Sequence, residues 1–259
     1  MKSSGAIAIT RAISPSIAAC ELTHLERTPI DVENARAQHR VYEEALIEAG
    51  YLLERLDTSP QMPDSVFVED IAVVFDELAI VTRPGADSRR QETPAVAEAL
   101  AAYRPLQTIQ APATVDGGDV LTAGRTVVVG RSSRTNEAGV RQVRQMLEPL
   151  GYTVAETLVR GCLHLKSAVT ALADDMVLAN PDWIDRGVFG RFRIIEVDRA
   201  EPGAANALRL HDRVIVAKAY PRTAERIEQA GFMVCAVDAS ELAKAEGALT
   251  CCSLIVAGR

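Results

Sequence analysis

The feature that most constrains the fold of this 259-residue chain is an internal repeat. One phrase consists of an amphipathic helix, a glycine, an aromatic residue and a short apolar run. It occurs as ALIEAGYLLERL at 45–56, QMLEPLGYTVAETL at 145–158 and RIEQAGFMVCAV at 226–237. Gly50, Gly151 and Gly231 fit the left-handed position that follows a helix, and the next aromatic residue begins a strand. Such self-similarity predicts several copies of one supersecondary unit packed against one another.

A second phrase predicts β-hairpins, because two runs rich in Val and Ile flank a short polar turn. Its four copies are EDIAVVFDELAIVTRP at 69–84, GGDVLTAGRTVVVGR at 117–131, HLKSAVTALADDMVLAN at 164–180 and NALRLHDRVIVAKAY at 206–220. The predicted turns lie near Asp76-Glu77, Gly124-Arg125, Asp174-Asp175 and His211-Asp212. CSLIVAG at 252–258 has no hairpin partner downstream. We expect AIAIT at 6–10 to pair with it, so that the two termini close the array.

The repeating unit is therefore a hairpin, a helix and another strand, about 50 residues long, and the chain holds about five such units. Helices are expected near 31–49, 91–102, 135–148, 222–230 and 238–245. No Pro/Ser-rich linker divides the chain. We expect a single α/β domain over residues 1–259, a closed array of ββαβ repeats. Aromatic residues are only 4% of the chain, so its core should be aliphatic.

Composition excludes several classes of protein. The net charge of −7 argues against a nucleic-acid partner, which calls for a basic face. No apolar run approaches the roughly 20 residues that span a bilayer, so we expect no membrane partner. The N-terminus lacks the apolar core of a signal peptide, which predicts a cytoplasmic protein. Five cysteines, two of them adjacent, make a poor disulfide framework and predict free thiols. We expect a monomer or a homodimer.

Each repeat opens with a polar or reactive residue at the same phase. Equivalent positions in a closed array surround the same axis, so these residues should converge although they are far apart in sequence. They are Asp70, Asp116, Asp119, His164, Asn206 and Cys251.

A converging Cys, His and Asp set has a recognisable chemistry. A thiolate is a nucleophile, an imidazole moves protons, and a carboxylate orients the imidazole. Two carboxylates at Glu69 and Asp70 would be costly to bury unpaired, so they should face a cavity, a cation or an arginine. They suit a planar guanidinium, whose N–H groups carboxylates match in pairs.

Taken singly, these residues also have ordinary structural explanations. A buried cysteine usually serves only to pack the core, and a DGGD sequence most often forms a turn. Cys162, His164 and Cys251 can be interpreted as a metal site. The CxH spacing is uncommon for zinc, however, and no fourth ligand is evident, so we expect no metal. Cys20, Cys235 and His39 fit packing or surface positions.

Six ordered blocks carry a resemblance to a known family. They are DSVFVEDIAVV (64–74), TRPGADSRR (82–90), DGGDVL (116–121), SSRTNE (132–137), HLKSAVT (164–170) and LTCCSLI (249–255). In these blocks the chain resembles the dimethylarginine dimethylaminohydrolases of the pentein superfamily. The resemblance implies a five-bladed α/β propeller. It also implies a hydrolase of the linear-amidine class, EC 3.5.3, that converts Nω-methylated arginine to citrulline and a methylamine without any metal or organic cofactor.

The resemblance also implies roles for individual residues. Cys251 matches the nucleophile, His164 the general acid/base, and Asp116 the acid that supports the histidine. The matched substrate-binding positions are Leu22 (through a nearby backbone carbonyl) and Asp64 for the α-amino group, Arg89 and Arg134 for the α-carboxylate, Glu69, Asp70 and Glu246 around the guanidinium, and Ala245 beside the nucleophile. The loop around Leu22 is a candidate lid. The substrate so implied is a small guanidino amino acid.

Three alternatives remain at this point. An arginine deiminase would use the same groups on unmethylated arginine or another guanidino compound, and an amidinotransferase would need room for an amine acceptor. A non-catalytic propeller that binds a protein or the ribosome would need neither Cys251 nor His164, and an acidic chain is a poor ribosome partner.

Overall fold

The computed structural model describes residues 5–211 and 213–258, where fifteen strands form five sheets of three strands each. In chain order the strands are β1 (Ile7–Arg11), β2 (Leu52–Leu56), β3 (Ala72–Val74), β4 (Ala79–Val81), β5 (Leu106–Thr108), β6 (Val120–Ala123), β7 (Thr126–Arg131), β8 (Thr153–Leu158), β9 (Val169–Ala173), β10 (Met176–Ala179), β11 (Arg193–Glu196), β12 (Leu208–Leu210), β13 (Arg213–Ala217), β14 (Met233–Val237) and β15 (Leu254–Val256).

Every sheet has the same topology. The four predicted hairpins are present as the antiparallel pairs β3–β4, β6–β7, β9–β10 and β12–β13. A third strand then joins parallel to the second strand of each hairpin. A parallel partner cannot follow a tight turn, so the chain crosses over through the segment between them. Of the predicted turns, only the one at His211-Asp212 is incomplete, because Asp212 lies outside the described residues.

The fifth sheet is built from both ends of the chain, as predicted. β1 pairs antiparallel with β15, with Ala8 opposite Ile255, and parallel with β2. The five sheets and their helices form the five-bladed α/β propeller expected from the repeats. The single-domain organisation stays a prediction.

The helices of the described residues are α1 (Val32–Glu48), α2 (Thr93–Ala101), α3 (Glu137–Leu147), α4 (Leu165–Ala168), α5 (Arg186–Phe189), α6 (Pro221–Gln229) and α7 (Ser240–Ala243). Asp31 and Asn136 cap α1 and α3 by accepting backbone N–H groups. The one-turn helices α4 and α5 were not predicted. The helix predicted at 238–245 is the single turn α7, and the chain reverses after it through Glu246, whose φ is 56°. None of the described helices is long and apolar enough to cross a membrane.

The three repeat glycines adopt the predicted left-handed conformation. Their φ angles are 89°, 85° and 98° at Gly50, Gly151 and Gly231. The aromatic residue that follows each one immediately precedes a strand, and Tyr51 and Tyr152 are buried. The helix-glycine-aromatic phrase is therefore the crossover from an outer helix to the outermost strand of a blade.

Burial follows the position of each strand in its blade. The middle strands β1, β4 and β10 are buried at every residue, and their side chains are mostly aliphatic. The inner strands β3, β6, β9, β12 and β15 line a central channel with a volume of about 280 Å³. One end of this channel leads towards the segments that precede the inner strands. These are the segments in which the sequence placed its reactive residues.

Candidate active site

A small cavity lies where four blades begin their inner strands. One-turn 3₁₀ helices precede β3 (Val68–Ile71), β6 (Gly117–Asp119) and β15 (Thr250–Cys252), and His164 precedes α4 and β9. The cavity has a volume of about 20 Å³. Its lining residues are Glu21, Asp64, Phe67, Asp70, Arg89, Asp116, Arg134, Leu163, His164, Ala245, Glu246, Gly247 and Cys251. The predicted convergence of Asp70, Asp116, His164 and Cys251 is therefore confirmed.

His164 is held between two carboxylates. Its Nε2 lies 3.2 Å from Oδ2 of Asp116, and its Nδ1 lies 3.7 Å from Oδ1 of Asp70. Asp116 is oriented by the N–H of Gly85 at 2.8 Å. Burial opposes the charged imidazolium, but Asp70 and Asp116 outweigh it and raise the pKa of His164 to about 9. The imidazole is therefore protonated at neutral pH.

Gly118 makes room for this ring. A Cβ at this position would lie 2.7 Å from Nδ1 of His164 and 2.8 Å from Oδ1 of Asp70, closer than real contacts allow. The N–H of Gly118 also donates to Asp70. The two glycines of the DGGD block are thus required by close approach and not only by a turn.

Cys251 carries a neutral thiol in this environment. Burial raises its pKa well above the usual range for cysteine, and the carboxylates of Glu69 and Asp70 act in the same direction. The adjacent Cys252 is buried, and its Sγ donates to the carbonyl of Ala248 at 3.3 Å. Only Cys251 of the pair lines the cavity.

Arg89 is fully buried and largely committed to protein partners. Its Nη1 donates to Asp70 at 2.5 Å, and its Nε and Nη2 form a bidentate pair with Glu92. Nη2 also reaches the carbonyl oxygens of Phe67 and Asp64. Among the described residues Nη1 has one partner, Asp70, so one Nη1–H remains for a ligand, and Arg89 is among the residues that line the cavity. Arg134 is freer, with Nη2 donating to Oγ1 of Thr23 at 3.1 Å.

The loop at 21–25 closes the cavity through backbone N–H groups. Those of Thr23, His24 and Leu25 donate to the carboxylate of Glu246 at 2.5 to 3.0 Å. The N–H of Glu21 donates to Asp64, whose pKa burial raises to about 6 although Arg89 opposes the rise. Three successive N–H groups form a concavity that suits an anion. In this structure the Glu246 carboxylate anchors the loop, and because Glu246 also lines the cavity, its place around a guanidinium stays a prediction.

Glu69 faces a cation, as expected for a buried carboxylate, but its role around a guanidinium stays a prediction. Glu69 and Asp70 are neighbours in a single 3₁₀ turn, so their side chains diverge and only Asp70 lines the cavity. Glu69 lies in the central channel, where it accepts from Nζ of Lys166 at 2.5 Å and from Oγ1 of Thr250 at 2.7 Å. It influences Cys251 from the channel side.

Asp119 and Asn206 occupy the predicted phase but do not line the cavity. Each accepts a backbone N–H from the next blade, Leu165 N–H for Asp119 and Thr250 N–H for Asn206. Their side chains therefore join neighbouring blades. Leu22 packs its side chain against the core, and its neighbour Glu21 lines the cavity instead. Ala245 lies in the lining with Cys251, and its contact with a substrate stays a prediction.

Two lining groups were missed at the sequence level. The ring of Phe67 lies against Gly247, where a Cβ would come within 2.1 Å of the ring. Leu163 was also missed. The available signals were an aromatic residue within the block at 64–74 and a glycine directly after Glu246.

Asp70, Asp116 and His164 also form the group whose possible metal-ligand atoms lie within 4.8 Å of one another in the described part of the chain. These atoms are already paired with one another, and Asp70 is paired with Arg89. A cation would have to displace the imidazolium proton. Cys162 is not in this group; its Sγ donates to the carbonyl of His164.

A five-bladed α/β propeller whose axial cavity holds a cysteine, a histidine and several carboxylates defines the pentein class of guanidino-group-modifying proteins. Comparison with known proteins narrows this class. The family described as "N,N dimethylarginine dimethylhydrolase, eukaryotic" matches residues 22–254. The N(G),N(G)-dimethylarginine dimethylaminohydrolase of Streptomyces coelicolor is 43% identical over 249 residues, which is 95% of each chain. The chain belongs to the dimethylarginine dimethylaminohydrolase family.

Solved structures agree with this assignment. The Pseudomonas aeruginosa enzyme of the family, in a Cys-to-Ser variant complexed with citrulline, superposes with a TM-score of 0.92 at 35% identity. The match covers 96% of this chain and 98% of that one. The N-terminal domain of ArgZ, a cyanobacterial arginine dihydrolase, shares the fold with a TM-score of 0.88 at 19% identity over 97% of each chain.

Proposed function

We propose that this protein hydrolyses Nω-methylated arginine to citrulline and a methylamine through a covalent intermediate on Cys251. The observation that carries the proposal is the shared cavity of a neutral thiol at Cys251 and a protonated imidazole at His164. A nucleophile and a proton donor placed on one small volume are what displacement of an amine from a guanidinium carbon requires.

The substrate itself activates the nucleophile. Carboxylates raise the pKa of the Cys251 thiol, and a guanidinium bound beside Asp70 offsets them with a positive charge. The thiol then gives its proton to solvent water, and the thiolate adds to the guanidinium carbon to form a tetrahedral adduct.

His164 moves the remaining protons. Its imidazolium gives a proton to the methylated nitrogen as the C–N bond breaks, so the amine leaves neutral and Cys251 holds a thiouronium. The neutral imidazole then takes a proton from water that adds to the same carbon. The C–S bond breaks, the proton of the added hydroxyl passes to the departing sulfur, and citrulline leaves with Cys251 again a thiol and His164 again an imidazolium. Asp116 keeps the ring in place in both half-reactions.

The amino acid end of the substrate is held on the opposite side of the cavity. Arg134 and the remaining Nη1–H of Arg89 suit the α-carboxylate, and Asp64 with a loop carbonyl near Leu22 suits the α-amino group. These contacts fix the reacting carbon against Cys251, so binding energy far from the reaction lowers its entropic barrier.

Relatives support the proposal. The Pseudomonas aeruginosa enzyme binds citrulline in its Cys-to-Ser variant, and the His-to-Gly variant of a dimethylarginine dimethylaminohydrolase forms an adduct with S-methyl-L-thiocitrulline. The cavity of about 20 Å³ is too small for such an amino acid, so the loop at 21–25 must move aside for entry. We further propose a cytoplasmic protein that is a monomer or a homodimer.

The second candidate is an arginine deiminase, and substrate comparison separates the two. Steady-state kcat/KM is measured with asymmetric dimethylarginine, monomethylarginine and arginine, with citrulline and the released amine both quantified. We expect methylated arginines to give the higher kcat/KM and an equimolar methylamine. A higher kcat/KM for arginine with ammonia release would establish the deiminase, and no turnover of any of them would favour a non-catalytic binding protein.

A further inference from the structure

A buried carboxylate outside the cavity connects two of its functional groups. Asp119 is fully buried and ends the 3₁₀ turn Gly117–Asp119. Its Oδ1 accepts the backbone N–H of Leu165 at 2.9 Å, and its Oδ2 accepts the hydroxyl proton of Ser132 at 2.5 Å. The two oxygens therefore reach into two different segments of the chain.

The hydrogen bond between Asp119 and the Leu165 N–H, which we call the first arm, acts on His164. Leu165 is the next residue in the chain and the first residue of α4, so the bond fixes the backbone at the point where the imidazole projects. Asp116, three residues before Asp119, meets the same ring through Nε2. The DGGD block therefore holds the ring of His164 through Asp116 and fixes the adjoining backbone through Asp119.

The hydrogen bond between Asp119 and the Ser132 hydroxyl, the second arm, acts on Arg134. Oγ of Ser132 accepts the N–H groups of Arg134 at 3.0 Å and of Thr135 at 3.2 Å. Both lone pairs of the hydroxyl are then in use, so its single proton must go to Asp119. Oγ1 of Thr135 in turn accepts the N–H of Asp116 at 3.1 Å. The turn that presents Arg134 is therefore fastened to the same carboxylate.

We propose that Asp119 is a positioning residue that sets the relative placement of His164 and Arg134. It thereby couples the group that moves the proton to the group that binds the substrate carboxylate, and the proposal rests on the function proposed above. Burial raises the pKa of Asp119 to about 6, which His164 and the hydrogen bonds from Ser132, Thr135 and the Leu165 N–H oppose. The carboxylate is thus charged at neutral pH, and both of its oxygens are acceptors.

The two arms can be broken separately. Ser132→Ala removes only the arm to Arg134, so we expect KM to rise roughly tenfold and kcat to stay within about twofold. Asp119→Asn cannot keep both hydrogen bonds, because an amide has only one acceptor oxygen. Its NH₂ group would face either the Leu165 N–H, which is a donor, or the Ser132 Oγ, whose lone pairs already accept two N–H groups. We expect Asp119→Asn to lower kcat and raise KM, each by roughly tenfold or more. Ser132→Thr retains the hydroxyl and should restore KM.

Glu201→Gln is the matched control. Glu201 is also buried and accepts two backbone N–H groups, those of Arg222 and Thr223, but does not line the cavity. The Glu201→Gln variant should lose thermal stability, while its kcat and KM per folded molecule stay unchanged. The proposal is overturned if Ser132→Ala leaves KM unchanged, or if Asp119→Asn behaves kinetically like Glu201→Gln. Absence of turnover in the unsubstituted protein would instead refute the proposed function.

Discussion

Oδ2 of Asp116 lies 3.2 Å from Nε2 of His164, and both side chains are buried. Asp116 and His164 belong to adjacent blades, so the contact forms where one blade packs against the next. Together with Asp70, Asp116 keeps the imidazole protonated at neutral pH. A buried proton donor beside a neutral thiol makes the order of events clear: the substrate cation must arrive before the nucleophile forms.

The pH dependence of the free enzyme should report His164. Its pKa is raised to about 9, so the proton needed by the leaving amine is present below that pH and lost above it. We expect kcat/KM to fall as pH rises through about 9. Asp116→Asn removes one supporting charge and should move this alkaline limb down by roughly one pH unit. An alkaline limb that does not move in Asp116→Asn would show that the limb belongs to another group.

Gly118→Ala should impair the histidine directly. The new Cβ would lie 2.7 Å from Nδ1 of His164, so the ring must shift from its place between Asp70 and Asp116. We expect kcat to fall by roughly a hundredfold, since small displacements of reacting groups have effects of that size. Gly151→Ala is the control, because its φ of 85° strains the backbone while no atom crowds the Cβ. It should lose roughly 1 kcal/mol of stability with kcat unchanged.

Arg134→Ala should weaken substrate binding more than chemistry. Removal of a charge-assisted contact to the α-carboxylate should raise KM by roughly a hundredfold, with a smaller change in kcat. Arg141→Ala is the control, because Arg141 is exposed on α3 and pairs with Glu137 along the helix. An unchanged KM in Arg134→Ala would place the carboxylate elsewhere.

Glu246→Gln should loosen the loop at 21–25. A neutral amide holds the N–H groups of Thr23, His24 and Leu25 less strongly than a carboxylate does. We expect faster hydrogen exchange at these amides and a KM increase of several-fold, roughly 1 kcal/mol in binding. Exchange rates equal to those of the unsubstituted protein would mean that Arg134 and the other loop contacts hold the loop without Glu246.

The repeat made the architecture predictable from sequence. Gly50, Gly151 and Gly231 mark equivalent crossovers, and the polar turns mark the hairpins, so the five blades follow from local patterns. Equivalent positions in the repeats are occupied by Asp70, Asp116, His164 and Cys251, and this equivalence predicts their convergence. Closure of the array adds the pairing of β1 with β15.

Side-chain direction was not predictable in the same way. Glu69 and Asp70 are adjacent in sequence, but only the fold shows that Glu69 accepts hydrogen bonds from Lys166 and Thr250 in the central channel. Asp119 shares the phase of the cavity residues, yet its partners lie between blades. Glu246 finds its N–H donors in a loop more than 200 residues away in sequence. Such choices depend on long-range contacts that no local pattern encodes.

Covalent catalysis by Cys251 can be observed by peptide mass spectrometry of the acid-quenched reaction with asymmetric dimethylarginine. We expect a thiouronium adduct on the peptide that contains Cys251, formed before citrulline accumulates. The adduct should be absent in Cys251→Ser and retained in Cys252→Ser, whose thiol packs outside the cavity. Citrulline production by Cys251→Ser at the normal rate, or an adduct carried by a different cysteine, would contradict a nucleophilic role for Cys251.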